Sequence, residues 1–384
     1  MRTIIIVLDG VGCGSMPDAT LYGDSGANTL VHVAKTVNGL KLPTLQRLGL
    51  GNILPLEGVS PTSAPLASYG KMAEKSPGKD TITGHWEIAG MRLFQPFAVY
   101  PLGFPEELVG LLEKSFGRKL LGNCAASGTE IIERLGKEHQ ESGNPIVYTS
   151  ADSVLQIATH TDIVTLSLLY QWCEQAREIC RGKYEIARII ARPFLGSPGA
   201  YQRTSDRHDY PLEPKSKHLL TLLQAKGIPV YSVGKIEDIF VGQGISKGHK
   251  TKDNIDGIKW TLKILQEEKH DALIFTNLVE FDSLWGHRNN PEGFAVALQT
   301  FDQFLPQILD ELHEDDLLFI TADHGTDPMW PGTDHTREFV PLLVYGKKNP
   351  VRDLGIRSSF SDLAATISER HGAIAPLHGE VITF

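Results

Sequence analysis

Five short runs dense in β-branched and aliphatic residues punctuate this chain, with helix-like stretches between them. The first, TIIIVLDG (3–10), is apolar at consecutive positions rather than alternate ones, the pattern of a strand buried on both faces. IPVYSVG (228–234), DALIFTNLV (271–279), DLLFITADHG (316–325) and VPLLVYG (340–346) repeat it. Helical periodicity covers 252–268 and 291–312. Strands alternating with helices imply βαβ units, so the expectation is an α/β core whose central, mostly parallel sheet is covered by helices on both faces.

The stretch from about 97 to 216 reads differently. Helices are expected over 105–116, 128–140 and 167–182, and strands over 145–149 and 186–191. Proline marks both margins, at Gln95-Pro96 and at Pro211 and Pro214. A chain of 384 residues exceeds what a single hydrophobic core usually serves. The expected organisation is a discontinuous catalytic core, 1–96 and 217–384, with a smaller α/β cap domain, 97–216, inserted for substrate recognition.

Apolar residues at 41% and charged residues at 22% describe an ordinary globular protein. A net charge of −9 argues against nucleic acid or an anionic membrane as main partner, while a local site can still be positive enough for a phosphorylated substrate. Four cysteines (Cys13, Cys124, Cys173, Cys180) form no C-x-x-C pair and read as buried free thiols in a reducing compartment. The opening apolar run stops at Asp9, too short for a signal peptide, and no 18-residue apolar run exists. The chain is expected to be cytoplasmic, and no protein partner is implied.

Two glycine motifs lead nowhere. Gly10-Val-Gly12-Cys-Gly14 misplaces the third glycine of a dinucleotide fingerprint. Gly78-Lys79-Asp80-Thr81 lacks the Ser or Thr after lysine that a Walker motif needs. The chemistry lies in a scattered set instead. Ligands bind beyond the carboxyl ends of strands in open α/β sheets. Asp9, Asp282, His287, Asp323, His324 and His335 all follow expected strands or lead into one. Any one alone is more readily a turn, a cap or a satisfied core residue; their convergence on one sheet edge is the signal. Three carboxylates and three imidazoles suit borderline or hard divalent ions. Six protein ligands are too many for one ion that keeps open positions, so two ions are expected. Two ions bring four positive charges and three aspartates remove three, which leaves one where a phosphate can bridge. The loop SPGKDTITGHWE (76–87) offers Thr81 and Thr83 as hydroxyl nucleophiles, or as mere helix caps.

KDTITGHWE, VEFDSLWGHR (279–288), ITADHGTDP (320–328) and PGTDHTREFVPLL (331–343) together resemble phosphopentomutase, a family of the alkaline-phosphatase-like superfamily. VLDGVGCGSMPDA (7–19) and the cap blocks ASGTEIIERLG, YTSADSVLQIA, IARPF and TSDRHDY extend the resemblance over nearly the whole chain. It implies two Mn²⁺ ions, one held by Asp9, Asp323 and His324, the other by Asp282, His287 and His335. Thr81 would bridge them as the phosphorylated residue. It implies interconversion of ribose 1-phosphate and ribose 5-phosphate, and of the 2-deoxy sugars, through a sugar 1,5-bisphosphate, primed by a bisphosphate such as glucose 1,6-bisphosphate. Ser150, Asp152, Arg192 and Arg207, within the shared cap blocks, are the expected sugar-phosphate contacts. Gly10 stands where many relatives carry Ser, and Thr326 where Asn commonly follows Asp-His-Gly; neither is a metal ligand, so only fine positioning is put in question. Cys13 lies close to Asp9, and structural filler outweighs a redox role. The competing readings are a phosphatase or metal-dependent phosphoglycerate mutase of the same superfamily, and a non-catalytic sugar-phosphate binder. A pure binder has no need of Thr81.

Overall fold

In a computed structural model of the chain, residues 1–150, 152–374 and 378–384 are described; Ala151, inside the YTSADSVLQIA block, lies outside them. The chain divides into two compact units, Met1–Pro96 with Pro214–Phe384, and Phe97–Glu213. Numbered along the chain, β1 (Arg2–Leu8) and β2 (Ser68–Met72) open the first unit. The second holds β3 (Leu121–Ala125), β4 (Ile146–Thr149), β5 (Val154–His160), β6 (Arg188–Leu195), β7 (Gln202–Arg203) and β8 (His208–Pro211). The first resumes with β9 (Val230–Val233), β10 (Lys247–His249), β11 (Ala272–Leu278), β12 (Leu317–Thr321), β13 (Val340–Tyr345) and β14 (Asp353–Arg357).

In the first unit, eight strands form one sheet in the order β10-β9-β11-β1-β12-β13-β2-β14. Every residue of β1, β11 and β12 is buried, which requires helices over both faces. All neighbours pair in parallel except around β13, which runs antiparallel to both β12 and β2. That one reversal matters. The carboxyl ends of β1, β11, β12 and β2 share an edge, and β13 enters from that edge, so the loop before it arrives there too. This is the mostly parallel α/β core expected from the sequence. The sequence reading missed β2, β10 and β14: they are short, lie at or near the sheet margins, and each contains a glycine that weakens the apolar pattern.

The start of β1 is fastened by a buried ion pair. Arg2 donates through its backbone N to Asp316 Oδ1 at 2.7 Å and through Nε to Oδ2 at 2.9 Å. Its guanidinium also donates to Leu265 O, Glu268 O and Glu311 O. One cation thus satisfies carbonyls at the carboxyl ends of two helices, Asn254–Glu267 and Pro291–Glu311, where the helix dipole favours positive charge.

In the second unit, β5 and β6 pair in parallel along seven residues, β4 flanks β5 antiparallel, and β3 continues parallel to β4. Helices Glu106–Phe116 and Leu166–Ile179 bury Leu108, Leu112, Leu169 and Trp172 in one core, and helix Gly128–Ser142 buries Ile131 and Ile132 in another. The expected helix at 167–182 stops at Ile179, and the Arg177 guanidinium donates to Cys180 O and Ile186 O just beyond its end. Strand β5 was hidden by its polar letters, VLQIATH, although all seven residues are buried. Gln156 accepts from Arg192 Nε at 2.9 Å, and His160 bonds Gly196 O at 3.0 Å.

Burial alone would raise the Asp316 carboxyl, but the hydrogen bonds from Arg2 outweigh it and hold its pKa below the ordinary value. Its stabilising contribution is therefore complete above the unfolded-state pKa, about 3.9, and is lost as pH falls through the depressed folded value. Asp316→Ala leaves Arg2 buried without a counter-charge. We expect a loss of about 3–5 kcal/mol in the denaturant transition of the first unit at pH 7, shrinking at pH 3.

Candidate metal centre

The register of β1 against its neighbours sets the site. Val7 pairs with Asn277 and Thr321, and Leu8 with Leu278, so Asp9 emerges beside the ends of β11 and β12. Asp9 and Asp323 are fully buried and Asp282 is 5% exposed. Asp9 Oδ2 accepts from Asn277 Nδ2 at 2.9 Å. Asp323 Oδ1 accepts from Gly10 N at 3.1 Å. Their other oxygens, Asp9 Oδ1 and Asp323 Oδ2, find no well-formed hydrogen bond among the described residues, yet each lies 3.3 Å from His324 Nε2. Thr81 Oγ1 is also 3.3 Å from that nitrogen.

Asp282 and His287 owe their pairing to a change of helical pitch. Five residues apart, they would face different sides of an α-helix. Here Phe281–Gly286 forms one π-helical turn, closed by the bond from His287 N to Asp282 O at 3.0 Å, which brings the two side chains together. Asp282 Oδ2 lies 3.2 Å from His287 Nε2, and Oδ1 lies 3.4 Å from His335 Nε2. His287 Nδ1 bonds Thr333 O at 2.6 Å, which turns Nε2 toward the carboxylate.

The structure thus brings together all six Asp and His residues singled out by the sequence. Ligand atoms of Asp282, His287 and His335 lie within 4.8 Å of one another, and so do those of Asp9, Asp282 and His324. Asp282 reaches both groups. The donor set fits metal ions on two grounds. Asp9 Oδ1 and Asp323 Oδ2 are buried and meet only imidazole nitrogens, at 3.0–3.3 Å, and carboxylate oxygens so placed are costly unless a cation meets them. And spacings of 3.3 Å match ligands around an ion with bonds of about 2.0–2.2 Å, which stand about 3.3–3.6 Å apart in a tetrahedron.

Electrostatics agree. Burial would raise the carboxyl of Asp323, but His324 and His85 outweigh it and hold it at about 2. His335 and His287 likewise hold Asp282 well below the usual range against burial. Burial would lower the His324 pKa, but Asp323 and Asp9 carry it well above the ordinary imidazole value.

Thr81 is the first residue of the helix Thr81–Ile88, at the end where the helix dipole favours an anion. Asp80 caps that helix, accepting from Ile82 N and Thr83 N at 3.0 and 3.1 Å, and also takes the Thr83 hydroxyl at 2.5 Å. Thr83 is therefore engaged, while Thr81 points its hydroxyl at His324. The helix comes this close because Gly84 faces the strand-end loop: a Cβ there would fall 2.1 Å from Asp323 O.

Several supporting residues escaped the sequence reading. His85 Nδ1 lies 3.0 Å from Asp323 Oδ2 and 2.9 Å from Thr81 O. Glu338 accepts from Gly14 N, Thr29 N, Thr29 Oγ1 and Thr336 Oγ1, binding the loop after β1 to the loop before β13. Glu87 accepts from Lys75 N, Ser76 N, Ser359 Oγ and Phe360 N, locking the Thr81 helix in place. Position in the GHWE block was the only signal for His85 and Glu87. Cys13 is buried, and burial pushes its thiol far up, away from the thiolate a reactive cysteine needs.

The four residues expected to contact the sugar phosphate lie in the second unit. Arg207 forms a two-point ion pair with Asp209 at 2.6 and 2.7 Å. Asp152 pairs with Arg188 at 3.2 Å, and Ser150 follows the end of β4. Arg192 is pushed down to about 10, by burial first and then by Arg207, with Arg203 adding to it; three guanidinium groups are thus gathered on one part of the sheet.

A model of the Metalloenzyme superfamily matches residues 1–374. The chain is 56% identical over 381 residues to a phosphopentomutase of Thermotoga maritima, covering 98% of this chain and 97% of that protein. It is 55% identical over 379 residues to a phosphopentomutase of Desulfitobacterium hafniense, with the same coverage. Among solved structures, the PH0037 protein of Pyrococcus horikoshii shares the fold at a TM-score of 0.50 and 15% identity, across 96% of this chain and 97% of that one. Among the described residues, no helix is long and apolar enough to cross a membrane.

A ligand imidazole must be neutral. With the His324 and His287 pKa values raised, these imidazoles hold protons more tightly than free ones, and an incoming ion must displace those protons. Titration calorimetry with Mn²⁺ in buffers of different ionisation enthalpy is expected to show proton release, diminishing as pH rises through those values. Buffer-independent enthalpies at pH 7 would contradict this.

Proposed function

This chain belongs to the phosphopentomutase family of the metalloenzyme superfamily, and on that premise we propose that it interconverts ribose 1-phosphate and ribose 5-phosphate, and the 2-deoxyribose phosphates, by way of a phosphorylated Thr81. The observation that carries the role of Thr81 is its buried hydroxyl, 3.3 Å from His324 Nε2 at a helix amino end, while the neighbouring Thr83 hydroxyl is spent on Asp80. Asp9, Asp323 and His324 would hold one divalent ion and Asp282, His287 and His335 a second, with Asp282 near enough to touch both. Mn²⁺ is the ion we assign, on the oxygen and imidazole donors and the family resemblance. Two such ions supply positive charge to the oxygens of a transferring phosphoryl group and lower the pKa of a hydroxyl beside them.

In the proposed cycle, the Oγ1–P bond of phosphorylated Thr81 breaks as the C1 hydroxyl oxygen of ribose 5-phosphate bonds to phosphorus, and the C1 hydroxyl proton passes to the freed Thr81 Oγ1. The product is the 1,5-bisphosphate. After the sugar turns, the O5–P bond breaks as Thr81 Oγ1 takes that phosphoryl group back, and the Thr81 hydroxyl proton passes to O5, leaving ribose 1-phosphate. The helix amino end steadies phosphate on Thr81, and Lys79, paired with Asp24 and Asp334 at 3.1 and 3.2 Å, fixes the preceding loop. A bisphosphate such as glucose 1,6-bisphosphate would load Thr81 initially. The second unit, with Ser150, Asp152, Arg192 and Arg207, is the substrate-recognition cap; the gathering of Arg192, Arg203 and Arg207 supports a phosphate contact there. Four free cysteines support a reducing, cytoplasmic setting.

Incubation with glucose 1,6-bisphosphate should place phosphate on Thr81, read by peptide mass spectrometry. Thr81→Ala should lower turnover by about a thousandfold or more; phosphate on Thr83 with an active Thr81→Ala enzyme would reject the assignment. In a coupled assay, ribose 5-phosphate should be isomerised far faster than inorganic phosphate appears, with a rate raised by Mn²⁺ and by the primer. Equal rates would make the protein a phosphatase. Arg207→Ala should raise the sugar-phosphate KM about tenfold, the scale of one lost charge-assisted contact, with phosphothreonine intact.

A further inference from the structure

Thr326 touches both halves of the candidate centre. Its Oγ1 lies 2.9 Å from Asp282 Oδ1 and 3.2 Å from His324 Nδ1. An ionised carboxylate only accepts, so the single hydroxyl proton goes to Asp282. The hydroxyl oxygen can then only accept from His324, which requires the ring proton to sit on Nδ1. Gly325 O, 3.0 Å from the same nitrogen, asks for the same tautomer. The bare nitrogen of neutral His324 is then Nε2, the atom facing Asp9, Asp323 and Thr81.

The side chain is also held from both sides. A Cβ on Gly10 would fall 2.3 Å from Thr326 Oγ1, and a Cβ on Gly286 would fall 2.4 Å from Thr326 Cγ2. Gly10 follows Asp9, Gly286 precedes His287, and Thr326 N donates to Gly10 O at 2.8 Å. The hydroxyl thus packs against the bare face of Gly10 and the methyl against that of Gly286, places a side chain on either glycine would take.

We propose that Thr326 is a positioning residue that couples the two metal groups: its hydroxyl orients the Asp282 carboxylate toward one and sets the His324 tautomer for the other. This rests on the two-ion reading of the site. Outer partners of this kind typically change metal affinity by about 10–100-fold.

Thr326→Val keeps the shape and deletes the hydroxyl; Thr326→Ser keeps the hydroxyl. Mn²⁺ binding to each protein is followed by the loss of the free-ion EPR signal, with circular dichroism of the metal-free proteins to verify folding. The unaltered protein should bind two equivalents. Thr326→Val should bind at least one of them 10-fold or more weakly, and Thr326→Ser should bind within about threefold of the unaltered protein. With metals saturating, Thr326→Val should lower kcat and leave the sugar-phosphate KM unchanged. Two tight equivalents in folded Thr326→Val would overturn the coupling, as would Thr326→Ser being as impaired as Thr326→Val. Failure of the unaltered protein to bind two ions would instead defeat the two-ion reading beneath it.

Discussion

Three aspartates buried at one edge of a sheet are the constraint on which this molecule turns. Carboxylates gathered out of water repel one another, and each demands donors it would otherwise find in solvent. The protein meets part of the demand with its own groups. Asn277 serves Asp9, the Gly10 amide serves Asp323, and Thr326 serves Asp282. Four histidines, His85, His287, His324 and His335, stand within 3.4 Å of the carboxylate oxygens. Even so, one oxygen on Asp9 and one on Asp323 find no well-formed hydrogen bond among the described residues. A fold that concentrates negative charge this way is completed by cations, and the rest of the first unit reads as the means of holding the carboxylates at the right spacing.

Much of this was legible from the chain alone because the signals are local. Apolar runs ending in Asp or His mark β1, β11 and β12, and parallel pairing sends their carboxyl ends to a common edge. The arrival of His335 depended on β13 running against its neighbours, which no local pattern reveals. The pairing of Asp282 with His287 depended on a π-turn that a five-residue spacing does not announce. Edge strands such as β14 and polar-lettered β5 were illegible for the complementary reason: their residues are placed by partners distant in sequence. Gly10 and Thr326 are instructive. Read separately they were two small departures from a family pattern; in space they are one contact, since the missing side chain of the first makes room for the hydroxyl of the second.

The balance of charge separates two scales. The chain as a whole carries −9, yet in the second unit burial, and after it the nearby charges of Arg207 and Arg203, lowers the proton affinity of Arg192. Arg207 is already neutralised in part by Asp209. An arginine held in a two-point ion pair is stiff, and an anion that competes for it meets a guanidinium already set in position rather than a free chain.

The six side chains of the centre are unevenly spread along the polypeptide. Asp9 lies near the beginning, and the other five fall between 282 and 335, with the whole of Phe97–Glu213 threaded between them. During synthesis the first strand leaves the ribosome long before its neighbours β11 and β12 exist, so β1 must wait, apolar on both faces and without a sheet. The inserted unit, whose strands pair only with one another, can close in the meantime. The centre comes into being only when the last third of the chain has been made. Until then Asp9 has no companions, and a nascent chain offers a passing metal ion a lone carboxylate in place of a trap.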